Sequence, residues 1–112
     1  MHSPATVLLG DDPRCYREVL GEFLRARRPD LRVLVVEPEE IDRYVEGFHP
    51  ALVICSRLTP AVEQAPAWMV LYPDQEGRVI LSLGGHRVEQ PDLDLEDLLA
   101  FLDRAERLYG AG

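Results

Sequence analysis

Apolar positions along the chain switch repeatedly between two periods. "ATVLL" at 5–9 is a short run with β-branched members, bounded by Pro4 and Gly10, and it predicts a strand buried on both faces. From Pro13 the spacing turns helical. Tyr16, Val19, Leu20, Phe23 and Leu24 share one face, Asp12 stands where an N-cap belongs, and Pro29 stops the helix near Arg28. "LRVLVV" at 31–36 predicts the second strand. Pro38 opens a second helix with Glu39 and Glu40 at the positive end of its dipole and Ile41, Tyr44, Val45 and Phe48 on its apolar face. The run at 51–55 predicts a third strand.

Strand and helix thus alternate twice with short connections, the pattern of βαβ units, a parallel sheet and right-handed crossovers. After Ser56 the alternation weakens. Residues 60–64 hold one or two helical turns that Pro66 cuts short, and "AWMVLY" at 67–72 predicts a fourth strand. The link at 73–77 is too short for a helical crossover, so 78–83 is expected to return antiparallel. Gly84-Gly85 signals another tight turn, simpler than a phosphate-cradling loop, before a short sixth strand at 86–90. Leu95, Leu98, Leu99, Leu102 and Ala105 then share the face of a last helix reaching about residue 108, and the acidic "PDLDLEDL" at 91–98 suits its positive dipole end. The expectation is one α/β domain over 1–112, without internal repeats.

Charge narrows the function classes. A net charge of −8 repels phosphate backbones, so nucleic-acid binding is not expected, and Arg25, Arg27 and Arg28 are read as the solvated end of a helix. All 12 cationic side chains are arginine, which removes every mechanism that needs a lysine ammonium. No apolar run approaches the roughly 18–20 residues of a membrane span, and the N-terminus lacks the regions of a secretory signal; a cytoplasmic location is the expectation. Cys15 and Cys55 are expected to be buried thiols rather than a disulfide or a zinc site. His2, His49 and His86 are scattered and receive neither catalysis nor a metal. No G-x-S-x-G pattern surrounds Ser56.

"VLLGDD" at 7–12 and "ALVICSRLTP" at 51–60, with the helix, strand and helix between them, resemble a response regulator receiver domain over about the first 60 residues. The resemblance implies a flavodoxin-like three-layer sandwich with a functional site at the C-terminal strand ends. Strands one to four are expected to be parallel, with the antiparallel C-terminal hairpin replacing the fourth helix. In such domains an acidic pair holds Mg²⁺, an aspartate accepts a phosphoryl group and a lysine neutralises the developing charge. Asp11 and Asp12 match the acidic pair, Ser56 stands at the phosphoacceptor position and Pro60 at the loop proline. No lysine exists, and the hydroxyl that senses the phosphoryl group would fall near Tyr72 or Pro73, neither a match. Ser56 is a poor nucleophile without a nearby base. A weak Mg²⁺ site at Asp11 and Asp12 and simple helix capping both remain open, and no cofactor is required.

The implied function is a degenerate receiver-like signalling module of a two-component type, non-enzymatic, acting by protein contacts with an unidentified partner. A small-ligand or nucleotide sensor using the strand-end crevice is the alternative. The fourth and fifth strands need cover that a missing helix does not give. The segment at 60–66, the hairpin or a second copy are the candidates, and Trp68, Met69, Leu71 and Ile80, if exposed, would form a homodimer interface.

Overall fold

Six strands, β1 (Thr6–Gly10), β2 (Arg32–Val35), β3 (Leu52–Cys55), β4 (Ala67–Leu71), β5 (Val79–Leu83) and β6 (His86–Gln90), join in one mixed sheet. Their order is β2-β1-β3-β4-β5-β6, with β1 to β4 parallel and the last two antiparallel. The structure is a computed structural model that describes residues 5–71 and 78–110. The β4–β5 link at 73–77, Tyr72 and His2 lie outside the described residues.

Because successive strand residues face opposite ways, the central strands supply two cores at once. Val7, Leu9, Leu52, Ile54 and Met69 point to one face, where α1 (Arg14–Arg27) and α4 (Leu95–Ala105) cover them. Leu8, Val53, Cys55, Trp68 and Val70 point to the other, under α2 (Ile41–Phe48) and the single-turn α3 (Pro60–Glu63). Helices on both faces of a largely parallel sheet make a three-layer α/β arrangement.

The elements follow the sequence pattern closely, with three differences. Helix α1 starts one residue late, with Pro13 at its N-cap, and the Asp12 side chain does not cap it. Its buried stripe is also rotated: Arg17, Gly21 and Leu24 face the sheet while Tyr16 and Val19 are exposed. Gly21 sets this rotation, since a Cβ there would come within 2.7 Å of Val35 Cγ2. The second helix is a 3₁₀ turn (Pro38–Glu40) followed by α2, which ends on His49 in the left-handed conformation with its N–H donating to Val45 O. That explains His49 as a helix terminator.

Cover for the fourth and fifth strands comes from within the chain. Trp68 and Met69 are 2% and 0% exposed, so neither belongs to a surface patch; only Leu71 and Ile80 of the expected four stay half-buried. Val62 of α3 packs in the same cluster as Trp68, and the Arg87 guanidinium lies 5.0 Å over the indole while its Nη2 approaches Glu63 Oε1 at 3.3 Å. On the opposite face α4 shields Met69. Its N-terminus behaves as its acidity suggests, with Asp94 Oδ1 accepting from the Asp97 N–H at 2.8 Å. The expected solvated arginines are also engaged. Arg25 donates to Val33 O, Arg27 pairs with Glu96, and Arg28 joins Asp30, Asp103 and Glu106, tying the end of α1 to α4.

Candidate functional site

A parallel sheet collects its outgoing loops at one edge, and neighbouring β1 and β3 here run on to opposite sides of the sheet, leaving a crevice between their loops. The loop after β1 carries Asp11 and Asp12; the loop after β3 carries Ser56. They meet. The Asp12 N–H donates to Ser56 Oγ at 2.8 Å, and the same hydroxyl lies 3.5 Å from Asp12 O. Gly10 permits the approach of α2 beside this edge, because a Cβ there would stand 2.5 Å from Ile41 Cγ1.

The two aspartates, adjacent in sequence, have opposite environments. Asp12 is largely exposed, and its Oδ1 sits 3.3 Å from Arg17 Nη1. It lines a polar cleft of about 870 Å³ together with Arg14, Arg17, Glu37, Asp42 and Ser56. Arg17, a residue that the periodicity did not single out, is the organiser: almost wholly buried, it reaches Asp11 O, Asp12 Oδ1 and Glu37 Oε2 at 3.3, 3.3 and 2.8 Å. Thr59 closes the far wall, donating to Asp42 Oδ1 at 2.6 Å and accepting from the Val62 N–H as the cap of α3.

Asp11 turns away from this cleft. It is 0% exposed, and neither carboxylate oxygen has a hydrogen-bond partner among the described residues. Burial pushes its pKa up to about 6, against the opposing pull of its own backbone N–H dipole and of the nearby Arg17 charge. It lines a separate, largely apolar groove of about 460 Å³ between α1 and α4.

This arrangement does not fit the Mg²⁺ ion that the sequence resemblance implies. Magnesium binds through one or two carboxylates while keeping several waters. Here the two residues line different cavities, the Asp11 carboxylate is closed to solvent, and Asp12 is committed to Arg17. Among the described residues, no group of three or more His, Cys, Asp or Glu side chains converges.

Of the two cysteines, Cys55 is buried at the end of β3, and burial drives its thiol up to about 12. Cys15 is exposed on α1, against the expectation of burial, because the helix face is rotated. No described helix is long and apolar enough to cross a membrane. Comparison of the chain with protein-family models, with curated proteins and with solved structures returns no match.

Proposed function

We propose that the chain is a degenerate receiver-like module, flavodoxin-like in topology, that regulates through protein contacts and takes no phosphoryl group on a carboxylate. One observation carries this reading: the loops that follow β1 and β3 meet at the carboxyl edge of that pair, where Asp12 and Ser56 line one cleft and the acceptor position is a hydroxyl already engaged by a backbone N–H. Strand order supports it, since β2-β1-β3-β4-β5 is the flavodoxin-like sequence with the fifth strand reversed. The absence of lysine removes the counter-charge that such phosphoryl chemistry uses. A non-enzymatic, cytoplasmic role in signal transduction follows from the same reading.

Incubation with acetyl phosphate and Mg²⁺, followed by intact mass measurement, is expected to leave the mass unchanged. A stoichiometric acyl phosphate at any carboxylate near Ser56 would overturn the proposal. Affinity capture of partners by the wild-type chain and by Ser56→Asp then tests whether this strand end governs association.

The polar cleft favours a second reading, a sensor of a small polar ligand. Its volume of about 870 Å³ lies in the range of small-molecule sites, and Arg14, Arg17 and Arg57 line it. Thermal-shift measurements with nucleotides separate the two readings, because a pure interaction module shows no stabilisation.

A further inference from the structure

The groove between α1 and α4 holds a buried carboxylate with no hydrogen-bond partner among the described residues. Tyr16, Val19 and Leu20 of α1 form one wall and Leu95 and Leu98 of α4 the other, while Ile54 and Met69 contribute the sheet side. The charged residues lining it are Asp11 and Asp94, both acidic. Asp94 is occupied in capping α4. Asp11 is fully buried with both oxygens unpartnered, and Arg17 donates to its backbone carbonyl, leaving the carboxylate unbonded. Burying a carboxylate without a partner is unfavourable, because the charge gives up its hydration. Any occupant that supplied an ammonium and an apolar body would recover that cost and cover the exposed Tyr16, Val19 and Leu95 together.

We propose that this groove binds a small amphipathic organic cation, with its ammonium paired to Asp11 and its hydrocarbon portion between α1 and α4. An organic cation suits the groove better than a metal ion, because the walls are apolar and supply hydrocarbon contacts instead of further oxygen ligands. The volume of about 460 Å³ suits a ligand of this class. The Asp11 oxygens are closed to water, so the head group enters by parting the side chains above them. Tyr16 and Val19, 55% and 63% exposed, have room to turn outward. The proposal is independent of the receiver-like reading, which concerns the cleft on the other side of Asp12.

The test compares n-hexylamine, as its ammonium at neutral pH, with 1-hexanol, each titrated into the full chain and followed by ¹H–¹⁵N chemical shifts. The amine is expected to bind about tenfold or more tightly than the alcohol, the increment of a charge-assisted pair. Perturbations are expected to centre on Tyr16, Val19, Leu95 and Leu98. Asp11→Asn, nearly isosteric, should bring the two ligands within about twofold of each other. Circular dichroism verifies its fold, and Tyr16→Ala, which leaves Asp11 in place, should weaken both ligands alike. Equal binding of amine and alcohol by the wild-type chain, shifts centred outside the groove, or an amine preference that survives Asp11→Asn would each overturn the assignment. So would Mg²⁺ displacing the amine from the wild-type chain.

Discussion

The Asp12 backbone N–H and the Ser56 hydroxyl oxygen, 44 positions apart in the chain, lie 2.8 Å apart. This bond joins the loops that leave β1 and β3, and Arg17 holds the first loop from beneath through Asp11 O and Asp12 Oδ1. Sequence neighbours of opposite fate result: Asp12 remains in the polar cleft, and Asp11 is carried into the apolar one.

Ser56→Ala removes the acceptor of that bond and leaves the Asp12 N–H to water. A neutral, solvent-exposed hydrogen bond contributes at most about 0.5–1.5 kcal/mol, so urea unfolding should show a loss no larger than that with an unchanged m-value. A loss above about 3 kcal/mol would mean that the loop junction holds more of the fold than this one bond.

Much of this architecture was legible in local pattern. All six strands, the antiparallel return after β4 and the Asp94-headed helix follow from period, Gly-Gly punctuation and loop length, which are properties of neighbouring residues. What failed was information that belongs to distant partners. Tyr16 and Val19 fit the apolar stripe of α1 and yet are exposed, because Gly21 lets the helix settle on Val35 and turns Arg17 inward. Exposure of Trp68 and Met69 was left open by the pattern: of the candidate covers that the sequence offers, α3 in the 60–66 segment and Arg87 of the hairpin lie over Trp68, while α4 shields Met69. The acidic pair and Ser56 were found from sequence, but their division between two cavities depends on the loop path.

Substitution at Trp68 should therefore act on stability, not association. Trp68→Ala removes a fully packed indole and is expected to cost about 3–5 kcal/mol in equilibrium unfolding. The sedimentation behaviour of the folded fraction should be the same as for the wild type. A change of oligomeric state without a stability loss would place Trp68 on an interface after all.

The thiols should differ in reactivity by environment. Cys15 is exposed, whereas Cys55 is buried, its thiol donates to Met69 O at 3.7 Å, and burial pushes its pKa up to about 12. Alkylation with iodoacetamide at pH 8 is expected to modify Cys15 alone in the native chain and both residues in denaturant. Native labelling of Cys55 at a comparable rate would show that the end of β3 opens readily.

Asp11 sets a pH dependence whose sign is opposite to that of a salt-bridged carboxylate. Its folded pKa is raised from 3.8 to about 6, so on raising the pH the unfolded chain releases this proton first. Below about pH 4 both states hold the proton and ionisation adds nothing to the balance. Between about pH 4 and 6 the unfolded state gains by ionising, and stability falls; above that window the loss levels off at about 3 kcal/mol. The neighbouring Arg17 charge already moderates the shift, and Asp12 acts against it. Asp11→Asn should remove this descending limb and stabilise the chain at pH 7 by about 1–2 kcal/mol, since an unpaired amide is less costly to bury than an unpaired charge. Chemical denaturation of both proteins from pH 3.5 to 7.5 measures it. Parallel curves for the wild type and the variant would show that the Asp11 carboxylate has found a partner or reached water.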